Sequence, residues 1–284
     1  PVIAGSHLDT QPTGGKFDGV YGVLAGLEVM RALNDHEIET DAPLEVVVWT
    51  NEEGSRFAPA MVGSGVWAGI YDLDFAYGRA DKAGITQGEA LARIGYRGDV
   101  PARARPLRAA FEAHIEQGPI LERENKRIGI VSGVQGMGWF DVVIKGEACH
   151  AGPTPMEGRR DPFRAVAAIL SQMYEMIAAE QPWGRVTFGD IRVEPGSRNT
   201  VPERVVLSVD MRHPDQERLD GLEAALRAVV AETCARHDLD YHVREEWRAR
   251  AVEFDPGCVN AVKEAAEMLG YPAQEMFSGA GHNR

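Results

Sequence analysis

Apolar residues recur along this chain with two different periods. Across residues 20–33, Val23, Leu24, Leu27, Met30 and Leu33 fall at helical spacing and predict a helix with one apolar stripe. Residues 2–4 before it form a short apolar run, and Leu44–Trp49 after it reads Leu-Glu-Val-Val-Val-Trp, β-branched and nearly continuous. Continuous apolar strands in β-α-β order imply a parallel sheet covered by helices. Residues 56–107 are richer in Gly, Ala and polar groups, with one short helix predicted at 87–94 and breakers at Pro101 and Pro106. A further strand is predicted at 109–114.

From about Val134 the pattern changes. Strands predicted at 138–145, 185–193, 204–211 and 241–246 alternate with helices at 161–179 and 215–237, giving the β-α-β-β-α-β order of a ferredoxin-like unit. Leu219, Leu222, Leu226, Val229 and Thr233 share one face of the second helix and are candidate core residues. A helix at 256–269 and a strand at 273–277 then resume the first pattern. The expected fold class is therefore α/β, a mostly parallel sheet with helices on both faces. A small α+β domain over 134–248 is inserted into a larger one formed by 1–133 and 249–284.

Composition narrows the function classes. The 284 residues, 44% hydrophobic, suffice for about two domains with buried cores. Forty-three acidic against 30 basic residues leave a net charge of −13, so nucleic acid is not an expected partner. A small anionic substrate would be repelled at long range and needs a local Arg to bind it. Cys149, Cys234 and Cys258 form no C-x-x-C pair and are odd in number, which favours a reducing, cytoplasmic setting. No run is long and apolar enough to suggest a membrane span. Both ends read as cut: the chain opens within a strand and closes in a Gly-rich loop, so it is expected to be a fragment.

Candidate chemistry gathers at the predicted strand ends. His7 and Asp9, Asp18, Glu52 and Glu53, and His114 supply imidazole and carboxylate without thiolate, a set suited to Zn²⁺, Mn²⁺ or Co²⁺ held for hydrolysis. Two metals need a bridging carboxylate, for which Asp18 is the natural choice. Asp9 is placed to accept the second N–H of His7 and fix its tautomer. Adjacent Glu52 and Glu53 point in different directions, so one can ligate while the other serves a water as general base. Taken singly, Gly5-Ser-His also reads as a capping turn and Glu52-Glu53 as a solvated loop pair.

The motifs Gly5-Ser-His-Leu-Asp-Thr-Gln-Pro, Gly15-Lys-Phe-Asp-Gly19, Thr50-Asn-Glu-Glu-Gly-Ser-Arg-Phe57 and His114-Ile-Glu-Gln-Gly118 resemble the amidase branch of the M20 metallopeptidase clan. That branch holds β-ureidopropionase, N-carbamoyl-L-amino-acid hydrolase and allantoate amidohydrolase. The resemblance implies two divalent ions, zinc or else manganese, cobalt or nickel. His7 and His114 would bind one each, with Asp18 bridging, Glu53 ligating and Glu52 as base. It implies that 134–248 is a lid carrying a homodimer interface, and that Gln117, His150, Asn199, Arg212 and His282 contact substrate.

Several of these residues make sense on their own. His150, in Cys149-His-Ala-Gly-Pro-Thr-Pro155, suits an oxyanion donor. Asn199 sits in a turn, and Arg212 at a strand end offers a fork for a substrate carboxylate, the alternative being a salt bridge with a nearby acid. The family's usual fifth metal ligand is a His beyond Arg284, and its Gly-His-Asp loop here reads Gly281-His-Asn-Arg284. The implied reaction is hydrolysis of a small anionic N-carbamoyl amino acid. Allantoate hydrolysis is the nearest rival, and a catalytically silent metal-binding or dimerising remnant is the rival of another class.

Overall fold

The computed structural model describes residues 1–281, and they fall into two compact units. The first comprises Pro1–Ile130 and Asp255–Gln274, with Gly281; the second comprises Val131–Phe254 and Glu275–Ala280.

In the first unit, Val2–His7 runs at the centre of a three-stranded sheet, parallel to Leu44–Trp49 on one side and to Ala109–Phe111 on the other. The helix Val20–Asp35 connects the first two strands and packs on both. It buries Gly22, Val23 and Gly26. A Cβ at Gly22 would lie 2.3 Å from the Ala113 carbonyl oxygen and 2.7 Å from Ser6 Cβ, so the helix packs close against the first strand and the loop beyond Phe111. Gly19, at the helix N-terminus, has φ 62°, and a Cβ there would fall 2.4 Å from the His7 ring. The helix Pro256–Met268, capped by the Asp255 carboxylate, packs on Ala109–Phe111. Helices Val62–Trp67 and Leu73–Tyr77, too short for a periodic signal, fill the stretch read from sequence as irregular; Gln87–Arg93 is closed by a Thr86/Glu89 capping box. The 109–114 strand stops at Phe111, which leaves His114 in the loop beyond it.

The second unit has the β-α-β-β-α-β order. Its sheet is antiparallel, with Gly136–Lys145 and Arg204–His213 at the centre, Asp240–Ala249 on one edge and Arg185–Thr187 with Ile191–Glu194 on the other. The strand expected at 185–193 is broken. Thr187 pairs with Asp210 and Ile191 with Leu207, so three residues face two, and Ser208 Oγ accepts the Asp190 N–H at 2.7 Å in the gap. One face of this sheet is covered by helices Pro162–Ala179 and Gln216–Arg236, each capped by an Asp side chain, Asp161 and Asp215. Phe140, Ile144, Ile169, Met173, Leu207, Met211, Leu219 and Leu226 are fully buried between them. At about 1.5–3 kcal/mol per fully buried large apolar side chain, this layer is the main stabilising core of the unit. Leu222, Val229 and Thr233 are buried with them, on the face their spacing indicated. No described helix is long and apolar enough to cross a membrane.

Candidate active site

The first unit gathers five of the candidate residues where its parallel strands end, the position at which such sheets form sites. His7 closes Val2–His7 opposite Trp49, whose strand leads directly into Glu52 and Glu53. Asn51 turns this loop with φ 55°, its side chain donating to the Phe57 carbonyl at 2.6 Å. Ligand atoms of His7, Asp18 and His114 lie within 4.8 Å of one another, and so do those of His7, Glu52 and Glu53. The two imidazole centroids are 5.7 Å apart.

Backbone carbonyls set both histidines. Nδ1 of His7 is 2.7 Å from the Asp9 carbonyl oxygen and Nδ1 of His114 is 2.9 Å from that of Ile115. A carbonyl only accepts, so each neutral ring carries its proton on Nδ1 and presents the Nε2 lone pair inward. There His7 Nε2 meets Glu52 Oε2 at 3.7 Å and His114 Nε2 meets Asp18 Oδ1 at 3.3 Å. The sequence suggested the Asp9 carboxylate as the partner of His7. It lies 3.9 Å away, because it accepts the backbone N–H groups of Glu52 at 3.1 Å and Glu53 at 3.0 Å. Asp9 thus holds His7 with its carbonyl and the Glu-Glu loop with its carboxylate. Gln117, expected to contact substrate, donates to Asp18 Oδ1 at 3.0 Å, while Asp18 Oδ2 is buried with no hydrogen-bond partner.

The electrostatics follow from crowding. Burial, and then the carboxylates of Glu53, Glu112, Asp9 and Asp18, push Glu52 up to about 8. Burial, and then the adjacent Asp18, push Glu53 up to about 7. Imidazole lone pairs set among carboxylates, with Asp18 Oδ2 buried and lacking a hydrogen-bond partner, are the donor set of a divalent cation, and the residues fit one. Two contributors were missed in the sequence, the buried Ser6 and the partly buried Glu112. Ser6 Oγ donates to Glu112 Oε1 at 2.5 Å, and burial raises the Glu112 carboxyl while Ser6, His114 and His7 pull it back. The signal was available: Glu112 and His114 stand two residues apart, the strand period.

In the second unit, Cys149–His150 pairs with Thr200–Val201, which brings His150 beside the Asn199 turn. The Asn199 carbonyl accepts from Ala151 N at 2.8 Å, and Ser197 Oγ donates to Asn199 Oδ1 at 2.8 Å. His150 Nδ1 accepts the Gly152 N–H at 3.1 Å, so the neutral ring carries its proton on Nε2 as a donor. The guanidinium of Arg159, not singled out from sequence, braces this loop through the carbonyls of Ala151, Thr154 and Pro155. Arg212 forms the salt bridge that was the alternative to substrate binding. Its Nε and Nη2 reach the Asp210 carboxylate at 2.9 and 2.7 Å, and its Nη1 donates to the Gly279 carbonyl at 2.7 Å. His282 lies outside the described residues.

Residues 3–283 match the model of peptidase family M20/M25/M40. The chain is 48% identical to an N-carbamoyl-L-amino-acid amidohydrolase of Rhizobium meliloti, the match covering 100% of this chain and 68% of that protein. It is 34% identical to the allantoate amidohydrolase of Bacillus subtilis, over 99% of this chain and 69% of the relative. Among solved structures, an amidase of the hydantoinase/carbamoylase family from Burkholderia multivorans superposes with a TM-score of 0.94 at 53% identity, covering 100% of this chain and 69% of that one. The chain belongs to peptidase family M20/M25/M40, among its amidohydrolase members.

Proposed function

We propose that this metal-dependent amidohydrolase cleaves the carbamoyl C–N bond of N-carbamoyl amino acids, releasing the amino acid, carbon dioxide and ammonia. The observation that carries the reading is the gathering of the His7 imidazole with Asp18 and His114 on one side and with Glu52 and Glu53 on the other, with the Nε2 lone pairs of both histidines turned inward. His7, Asp18, Glu53 and His114 would hold two divalent ions, zinc or else manganese, cobalt or nickel, which lower the pKa of water and polarise a carbonyl.

The chain's own residues do the rest. Glu52 takes a proton from the attacking water and returns it to the leaving nitrogen, and a carboxylate raised towards neutrality suits both transfers. His150 donates its Nε2–H to the carbonyl oxygen as negative charge develops there. Arg212 receives the substrate carboxylate, and Asn199 and Gln117 offer amide N–H groups. The names of its relatives support a carbamoyl substrate. We place the protein in the cytoplasm, as a homodimer joined through a lid formed by 134–248; light scattering would report a monomer if that assembly is wrong.

Hydrolysis of N-carbamoyl-β-alanine, N-carbamoyl-L-α-amino acids and allantoate, measured side by side, tests the substrate. Turnover of an N-carbamoyl amino acid is expected. Turnover of allantoate alone would transfer the chain to the rival activity, and bound metal without any turnover would mark a silent metal-binding protein.

A further inference from the structure

We propose that Asp210, itself held by Trp139, is a positioning residue that fixes the Arg212 guanidinium so that its remaining N–H pair faces a planar substrate carboxylate. The proposal rests on the reading of Arg212 as the carboxylate receptor. Asp210 and Arg212 stand two residues apart on Arg204–His213, where Val209, Met211 and His213 are buried; both therefore lie on the face turned away from the helices. Trp139 is directly opposite Asp210 on the neighbouring strand. On its other side a register shift between Glu245 and Trp247 sets Trp247 opposite Trp139, with ring centroids 4.9 Å apart.

A guanidinium has five N–H groups, one on Nε and two on each terminal nitrogen. Asp210 takes the Nε–H and one Nη2–H, and Gly279 takes one Nη1–H. One N–H remains on each terminal nitrogen. Side-on pairing uses the Nη2 proton parallel to Nε–H, so the proton left on Nη2 points outward along the Nε–Cζ direction, at the end of the fork. A carboxylate arriving end-on would meet this donor together with Nη1. Asp210 is held in turn, because Trp139 Nε1 donates to its Oδ2 at 3.0 Å, beside the Arg212 bond.

Asp210 also offsets the charge of Arg212, so its removal has two opposing consequences: a stronger positive field and a looser fork. If orientation governs, binding of the carboxylate weakens; if charge governs, binding tightens. The test is steady-state kinetics of the metal-loaded full chain on an N-carbamoyl-L-amino acid and on its carboxamide, which lacks the carboxylate. Asp210→Asn should raise KM for the acid about tenfold, the scale of one misaligned charge-assisted contact, with KM for the carboxamide unchanged. Asp210→Glu should restore part of the loss, and Asp210→Asn should add nothing on an Arg212→Met background.

Equal losses on both substrates, or a lower KM for the acid, would overturn the proposal. Trp139→Phe, which removes only the indole donor, should shift the acid alone in the same direction by a smaller factor. If Asp210→Asn does not fold, that variant decides, and no shift in it overturns the proposal. An Arg212→Met enzyme that still prefers acid to carboxamide removes the receptor assignment itself, and the positioning role with it. Loss of preference in Arg212→Met beside an unchanged Asp210→Asn overturns the positioning role alone.

Discussion

At the scale of single residues, Glu52 and Asp9 take the two tasks of base and support, with Asp9 supporting through its carbonyl to His7 and its carboxylate to the Glu52 and Glu53 amides. Glu52 stands among carboxylates without being the acid held by Gln117, and its raised affinity for a proton suits a group that must pick one up and give it back. Glu52→Gln should lower kcat by about 10²–10⁴-fold, the usual worth of a positioned general base, while metal content measured by atomic emission stays at the parent value. Retained activity would end the base assignment. Asp9→Asn keeps the carbonyl that holds His7 but leaves one carboxylate oxygen fewer for the Glu52 and Glu53 amides. Metal affinity, read by competition with a chromophoric chelator, should weaken by about 10–100-fold, as for other outer-shell ligand supports. His7, Asp18, Glu52, Glu53 and His114 were legible because each lies in a short motif, four of them at or just past a strand end and Asp18 just before the first helix. Ser6 and Glu112 were passed over, although the two-residue spacing of Glu112 and His114 offered a cue, since a lone Ser or Glu reads as solvated until its neighbours in space are known.

At the scale of elements, glycine decides how closely the first helix approaches the site. Gly19 cannot accept a side chain, for its φ is 62° and a Cβ would enter the His7 ring. Gly19→Ala should therefore weaken metal binding and destabilise the chain together, by about 1–3 kcal/mol for the strained backbone alone. Gly22→Ala would push the same helix off Ser6 and the Ala113 carbonyl, and should cost about 1–3 kcal/mol as overpacking does. Urea unfolding with and without metal separates the two. Gly22→Ala lowers stability in both states, and Gly19→Ala also diminishes the stabilisation gained from metal. The long helices and central strands were readable from period alone, whereas Val62–Trp67 and Leu73–Tyr77 were too short to show one. The break at 188–190 was not, because it depends on Ser208, a residue from another strand, capturing Asp190. Short pairings such as Cys149–His150 with Thr200–Val201 escape for the same reason: two residues have no period.

At the scale of the whole molecule, the crowded carboxylates couple stability to pH, and metal should reverse the sign of that coupling. In the metal-free chain Glu52 holds its proton up to about 8, whereas the unfolded chain releases it near 4.5. Between those values the native state binds more protons than the unfolded state, so this group's contribution is fully present below about 4.5 and is lost as pH rises through about 8. Glu53, raised to about 7, acts in the same direction over the lower part of the window. Metal binding demands deprotonated ligands, so its affinity grows with pH, and the stabilisation it adds grows with it. Thermal unfolding in chelator from pH 5.5 to 8 should show Tm falling relative to a Glu52→Gln variant, whose amide cannot titrate. In saturating zinc the parent Tm should instead gain on the chelated sample as pH rises. Because the ligands belong to Pro1–Ile130, zinc should slow amide hydrogen exchange there more than in the sheet and helix core of residues 136–249. A zinc-induced gain that shrinks with rising pH would mean that the Glu53 carboxylate is not among the groups that receive the ion.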